Sequence, residues 1–162
     1  MESLWAPWRA AYITGAKSGE EGGCILCVKP EQEADEENLI LHRGSWNFIM
    51  LNAYPYNPGH LMVAPYRHVP DPRQLTQEEL AEHASLVNKA LSLLESAMRP
   101  SSFNVGMNLG RSAGAGIADH MHTHVVPRWQ GDNNFMPVIS NTRVLSEGLP
   151  DTYRKLKEAL SA

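Results

Sequence analysis

The sequence predicts an α+β fold: an antiparallel sheet with one long helix packed on it. Three observations carry that prediction. Runs at 38–42, 46–52 and 61–65 have strand composition, with turn residues between them. A capped apolar stripe of helical period follows Pro72. The histidines His120, His122 and His124 stand at i, i+2 and i+4, the period of a strand.

Residues 1–23 mix aromatics, glycine and charge without period. The Trp5-Ala6-Pro7-Trp8-Arg9 segment within them is expected to pack on the body or on a partner subunit. A principal domain is expected over 24–140 and a helical tail over 141–162. Arg43-Gly44-Ser45 reads as a hairpin turn between the first two strands. Tyr54-Pro55-Tyr56-Asn57-Pro58-Gly59 is too proline-rich for a regular element, and His60 opens the strand that follows.

Thr76 and Glu79 have the form of a capping box. Leu80, Ala84, Val87, Leu91, Leu94 and Met98 then predict one core-facing stripe, and Pro100 ends the helix. A short strand over 102–108, a glycine-rich loop over 108–116 and the histidine strand follow. In that strand the three imidazoles share one face, while Met121, Thr123 and Val125 face the other.

A 162-residue chain with 43% hydrophobic and 20% charged residues is ordinary for one soluble domain. No apolar run approaches the roughly 20 residues that span a bilayer. Met1-Glu2-Ser3-Leu4-Trp5 lacks the basic and apolar regions of a secretory signal, so a cytoplasmic protein with no membrane partner is expected. A net charge of −4 argues against a nucleic-acid polymer as partner and leaves small phosphorylated ligands open.

Three imidazoles on one strand face can do several kinds of chemistry. One can attack phosphorus while a neighbour handles the proton. All three can instead bind zinc as a hydrolytic centre, or the group can bind a nucleotide without turnover. Upstream, Gly110-Arg111-Ser112-Ala113-Gly114-Ala115-Gly116 can cradle phosphate with backbone N–H groups, with Arg111 as an added charge. It is not a Walker motif. Cys24 and Cys27 are the only cysteines. Half of a zinc site, idle buried thiols and a redox pair are the available readings, with His68 and one triad histidine as candidate zinc partners.

The run His120–Val126 resembles the alternating His-φ-His-φ-His-φ-φ motif (φ apolar) of the histidine triad family, with Thr123 departing at one φ position. Asn57-Pro58-Gly59-His60-Leu61-Met62-Val63-Ala64-Pro65 is similar to that family's Pro-Gly-His strand. Leu4-Trp5-Ala6-Pro7-Trp8-Arg9 and the segment from Pro127-Arg128-Trp129 to Phe135 resemble its Fhit-like, prokaryotic diadenosine tetraphosphate phosphorylase-like branch. The resemblance covers roughly residues 5 to 136.

It implies a homodimer whose sheets join into one, and cleavage of a nucleoside or dinucleoside polyphosphate at the α-phosphate through a nucleotidyl-histidine. His122 would then be the nucleophile, and His124 would assist the leaving group. The main chain at His120 would orient His122, and His60 would be a further active-site histidine. Asn52 would contact ribose, with Asn108, Gly114 and Gly116 on the phosphate side. Gly116 stands where many relatives carry a polar side chain. Resemblance to uridylyltransferase-type members puts a structural zinc on Cys24, Cys27, His68 and His120, and no organic cofactor is implied.

Overall fold

The computed structural model describes residues 23–132 and 146–161. Helix α1 (Ile25–Glu31) leads into strands β1 (Ile40–Arg43), β2 (Asn47–Leu51) and β3 (Leu61–Pro65). Helix α2 (Gln77–Met98), strand β4 (Ser102–Gly106), strand β5 (Thr123–Arg128) and helix α3 (Leu149–Ser161) follow. The sheet has the order β1-β2-β3-β5-β4, and every neighbouring pair is antiparallel. The predicted α+β class is the observed one.

Residues of β2 and β3 are buried on both faces, so these strands read as continuous apolar runs rather than alternating ones. Ile49, Leu51, Leu61, Val63 and Val125 point toward α2 and α3, where Leu86, Ala90, Leu93, Leu94, Tyr153 and Leu156 complete the main core. On the other face Phe48, Met50, Met62 and Ala64 pack with Leu26 of α1 and Ile40. Truncating a fully buried leucine such as Leu94 costs about 2–5 kcal/mol through lost transfer energy and the cavity left behind. The tail helix is part of this core, because the Tyr153 hydroxyl donates to the Ile40 carbonyl at 2.9 Å.

The capping box of α2 forms as the sequence predicts. The Glu79 N–H donates to Thr76 Oγ1 at 3.3 Å, and the Thr76 N–H donates to Glu79 Oε2 at 2.7 Å. The helix ends at Met98, with Arg99 in the left-handed region at φ 49° just before Pro100.

Its buried face differs from the predicted stripe. Leu80 is 39% exposed and Ala84 is also exposed, while Glu79, His83, Leu86, Ala90, Leu93 and Leu94 are buried. The buried row is turned by about one residue because two of its members are polar and find partners in the sheet. Glu82, beside that row, takes the N–H groups of Ser45, Trp46 and Asn47 at 2.6, 2.6 and 2.7 Å, which fastens the β1–β2 turn to the helix.

The histidine segment also differs from its expected form. The strand starts at Thr123, so His120 and His122 precede it. They are held by bonds outside the ladder, among them Met121 N–H to the Val69 carbonyl at 2.7 Å. The predicted packing of Trp5–Trp8 lies outside the described residues.

Candidate active site

His122 is 5% exposed, and its Nδ1 lies 2.9 Å from the carbonyl oxygen of His120. A carbonyl only accepts, so Nδ1 carries the proton and Nε2 keeps its lone pair. Burial lowers the His122 pKa from 6.5, and the bond to the His120 carbonyl opposes that only in part. The ring is therefore a neutral imidazole with its nucleophilic nitrogen defined.

A second pair sits beside it. Gly59 turns the chain into β3 at φ +80°, and a Cβ there would meet Met98 Sδ at 2.6 Å and Leu94 Cδ2 at 3.0 Å. Only glycine combines that backbone with that closeness to α2. The turn delivers His60, which is fully buried. The Tyr56 N–H donates to His60 Nδ1 at 3.1 Å, so the neutral ring carries its proton on Nε2. That proton faces His124 Nδ1 at 2.9 Å. His124 is thereby held as the Nε2–H tautomer, a proton donor at its far nitrogen. The His122 and His124 rings meet edge to face at 4.8 Å, and the Tyr56 ring lies 4.6 Å from His60.

His124 opens on a cavity of about 340 Å³ whose walls include Tyr56, Asn57, Asn104, Asn108 and Arg128. At its far end Arg128 donates to both carboxylate oxygens of Asp132 at 2.6 and 2.7 Å and to Asn104 Oδ1 at 2.8 Å. Asn57 adds bonds to Asp132 and to the Pro127 carbonyl, bracing this wall. The Arg128 guanidinium holds the Asp132 carboxyl well below the usual carboxylate range.

Of the residues predicted from sequence, His60, His122 and His124 come together, and Asn108 lines the cavity. Asn52, Gly114 and Gly116 do not line it. Asn52 Oδ1 accepts from the Tyr54 N–H at 2.9 Å, which closes a local turn. The glycine loop contains a single turn of 3-10 helix at Arg111–Ala113, and Gly114 follows at φ +85°. Tyr56, Asn57, Asn104 and Arg128 were not singled out as site residues by the sequence. The Tyr-x-Tyr-Asn turn before the Pro-Gly-His strand was the signal that could have found the first two.

His120 belongs to another group. Its Nε2 lies 2.8 Å from the Pro65 carbonyl, which puts the proton there and turns the Nδ1 lone pair toward Cys24 Sγ and Cys27 Sγ, each at 3.4 Å. His68 Nδ1 lies 3.4 Å from Cys27 Sγ, and all four donor atoms fall within 4.8 Å of one another. Two sulfurs and two imidazole nitrogens at these separations suit a tetrahedral zinc, whose bonds run about 2.0–2.3 Å. Burial, with neighbouring Cys24, pushes the Cys27 thiol up to about 11, so a cation is what would ionise it. The three triad histidines are thus divided: His120 faces the thiols, His122 the His120 carbonyl, and His124 faces His60. That division disfavours a single three-histidine zinc centre.

A family model described as the HIT domain matches residues 34–131. AP-4-A phosphorylase of Mycobacterium tuberculosis is 43% identical over 161 residues, spanning 96% of this chain and 83% of that protein. The asymmetrical bis(5'-nucleosyl)-tetraphosphatase of Schizosaccharomyces pombe is 32% identical over 93 residues, 57% of this chain and 50% of its own length. The crystal structure of a Zn-bound histidine triad family protein from Mycobacterium smegmatis superposes with a TM-score of 0.62 at 22% identity, over 76% of this chain and 84% of that one. This last likeness is one of fold.

Proposed function

The chain belongs to the HIT domain family, and on that premise we propose that it cleaves a dinucleoside polyphosphate at the α-phosphate through a nucleotidyl-His122 intermediate. The observation that carries this reading is the pair of fixed tautomers on two rings in contact: a lone pair on His122 Nε2, and a proton on Nε2 of His124, whose ring lines the cavity. With diadenosine tetraphosphate, His122 Nε2 attacks the α-phosphorus and the bond to the bridging oxygen breaks. ATP leaves with the electron pair of the broken P–O bond while His124 Nε2–H donates a hydrogen bond to the departing oxygen, and AMP stays bonded to His122. The acceptor then attacks the same phosphorus and the electron pair returns to Nε2. Inorganic phosphate as acceptor gives ADP, and water gives AMP. Asn108 on the cavity wall is suited to meet the phosphate chain. Asn52, Gly114 and Gly116 serve the ribose and phosphate only if the segments that carry them close over a bound nucleotide.

The 43% identity to a protein named AP-4-A phosphorylase favours phosphate as acceptor. Product analysis decides it. The expected result is ADP with ATP, formed only when phosphate is supplied. AMP with ATP regardless of phosphate would make the chain a hydrolase of the same mechanism. Tight nucleotide binding with neither product would overturn the enzymatic reading.

A zinc on Cys24, Cys27, His68 and His120 belongs to the same reading as a structural group. When bound it would fix His120, whose carbonyl orients His122, and it would take no part in the chemistry. A homodimer is supported by the edge strand β4 and the residues just after it, which leave Val105 of β4 and Met107 and Leu109 beyond it between 39% and 48% exposed. A second copy joining edge to edge would cover them. The two free thiols suit a reducing cytoplasm, and no described helix is long and apolar enough to cross a membrane.

A further inference from the structure

Thr123 is the one polar residue at an apolar position of the histidine run, and its hydroxyl is where that run meets helix α2. His83 Nε2 lies 2.7 Å from Thr123 Oγ1, and His83 Nδ1 lies 2.9 Å from Asn47 Oδ1. The amide nitrogen of Asn47 already donates, to the Glu79 carbonyl and to Glu82 Oε2, each at 3.1 Å. Its oxygen is therefore the acceptor, His83 carries its proton on Nδ1, and the Thr123 hydroxyl donates to Nε2. The chain of bonds runs from the β1–β2 turn through Glu82, Asn47 and His83 to Thr123. His83 is 5% exposed and Thr123 is 4% exposed, so each bond is shielded from water.

We propose that His83 is a positioning residue: through the Thr123 hydroxyl it sets the placement of His122 and His124. The inference rests on the reaction proposed above. Its geometric basis is where the ladder stops. Val63↔Thr123 is the last pair between β3 and β5, so His122 lies beyond the strand's own hydrogen bonds. The side chain of Thr123 points away from those of His122 and His124, and its Cα is about 3.8 Å from the Cα of each. One anchor beneath Thr123 thus holds the two peptide units that carry both rings. Misplacing a reacting group by about 1 Å can cost on the order of a hundredfold in rate. An apolar residue in place of Thr123 would fill the space without fixing the position.

The test compares Thr123→Val, Thr123→Ser and the double variant His83→Leu with Thr123→Val. The double variant removes both partners of the His83–Thr123 bond; it also leaves Asn47 Oδ1 without its His83 donor, so tautomers and kinetics rather than melting temperature separate folding from positioning. Melting temperature, kcat and KM for diadenosine tetraphosphate are measured. The tautomers of His122 and His124 are read by nitrogen-15 NMR, which needs no turnover. Thr123→Val is expected to lower kcat about 10- to 100-fold with KM within about threefold. Thr123→Ser is expected to keep kcat within about threefold of wild type. The double variant should remain slow, and its melting temperature is compared with that of Thr123→Val. Wild type should show His122 protonated on Nδ1 and His124 on Nε2, and the two variants that carry Thr123→Val should show mixtures. Wild-type kcat and unmixed tautomers in the double variant would overturn the proposal, whatever its melting temperature. Absence of turnover in the wild type would overturn the reaction instead, and the tautomer spectra would still decide positioning.

Discussion

At His122 one hydrogen bond decides the chemistry. The carbonyl of His120 accepts the hydrogen bond from Nδ1–H, which leaves the lone pair on Nε2 for the attack proposed for His122. His122→Ala should lower turnover by at least about a thousandfold while the melting temperature stays within a few degrees. A variant that keeps most of its activity would remove His122 from the mechanism. His60 acts through His124 by holding its donor tautomer. His60→Ala should therefore lower kcat by about 10- to 100-fold, with a smaller change in KM.

His83 also makes stability depend on pH. Burial lowers its pKa from 6.5 to about 4 in the folded chain. Its contribution is present above the unfolded value and is lost as pH falls through that window, because the unfolded chain then binds the proton first. The loss between about pH 7 and about pH 5 should be about 2 kcal/mol, read from urea melts at each pH. In the double variant His83→Leu with Thr123→Val that component should vanish.

Among elements, the turn before β3 has the tightest constraint. Gly59→Ala would force a left-handed alanine and drive its Cβ onto Met98 and Leu94. A destabilisation of about 2–4 kcal/mol is expected, with His60 displaced and kcat reduced. Denaturant unfolding checks the first effect and steady-state kinetics the second.

The strands, the capping box and the Pro-Gly-His turn were legible because each is written in a short window of sequence. The buried face of α2 was not. His83 looks like a surface residue when only the helical period is read, since its partners Asn47 and Thr123 lie 36 and 40 residues away. Thr123 was visible as a departure from the apolar pattern, but a departure does not name its partner. The start of β5 was misplaced for a similar reason. The segment is held by bonds from His120 to Pro65, from Met121 to Val69 and from His122 to His120, and the spacing alone does not distinguish that from a ladder. Asn52 is implied at the site by resemblance alone, and its oxygen accepts from the Tyr54 N–H in a local turn.

For the whole molecule, two faces of one sheet have different tasks. The α2–α3 side carries the larger apolar cluster and the buried His83, and the other side carries a smaller apolar cluster together with His60, His122, His124 and the cavity that His124 lines. The Cys24–Cys27–His68–His120 group brings the start of α1 to the segment that carries His122. Stripping a bound zinc with a chelator should lower folding stability by several kcal/mol, on the order of what structural zinc contributes elsewhere. Thermal melts with and without zinc replenishment would read it; unchanged melting in a zinc-free protein would leave the thiols idle. The exposed apolar residues Val105 on β4 and Met107 and Leu109 just after it should make the chain a dimer in sedimentation equilibrium, and Val105→Lys should weaken that dimer.

The most direct measurement is a rapid acid-free quench of the protein with diadenosine tetraphosphate in the absence of phosphate, followed by peptide mass mapping. One adenylyl group is expected on the peptide that contains His122, localised to that residue, and none in His122→Ala. An adduct on another residue would contradict the proposed mechanism, and so would catalytic turnover with no adduct at any time point.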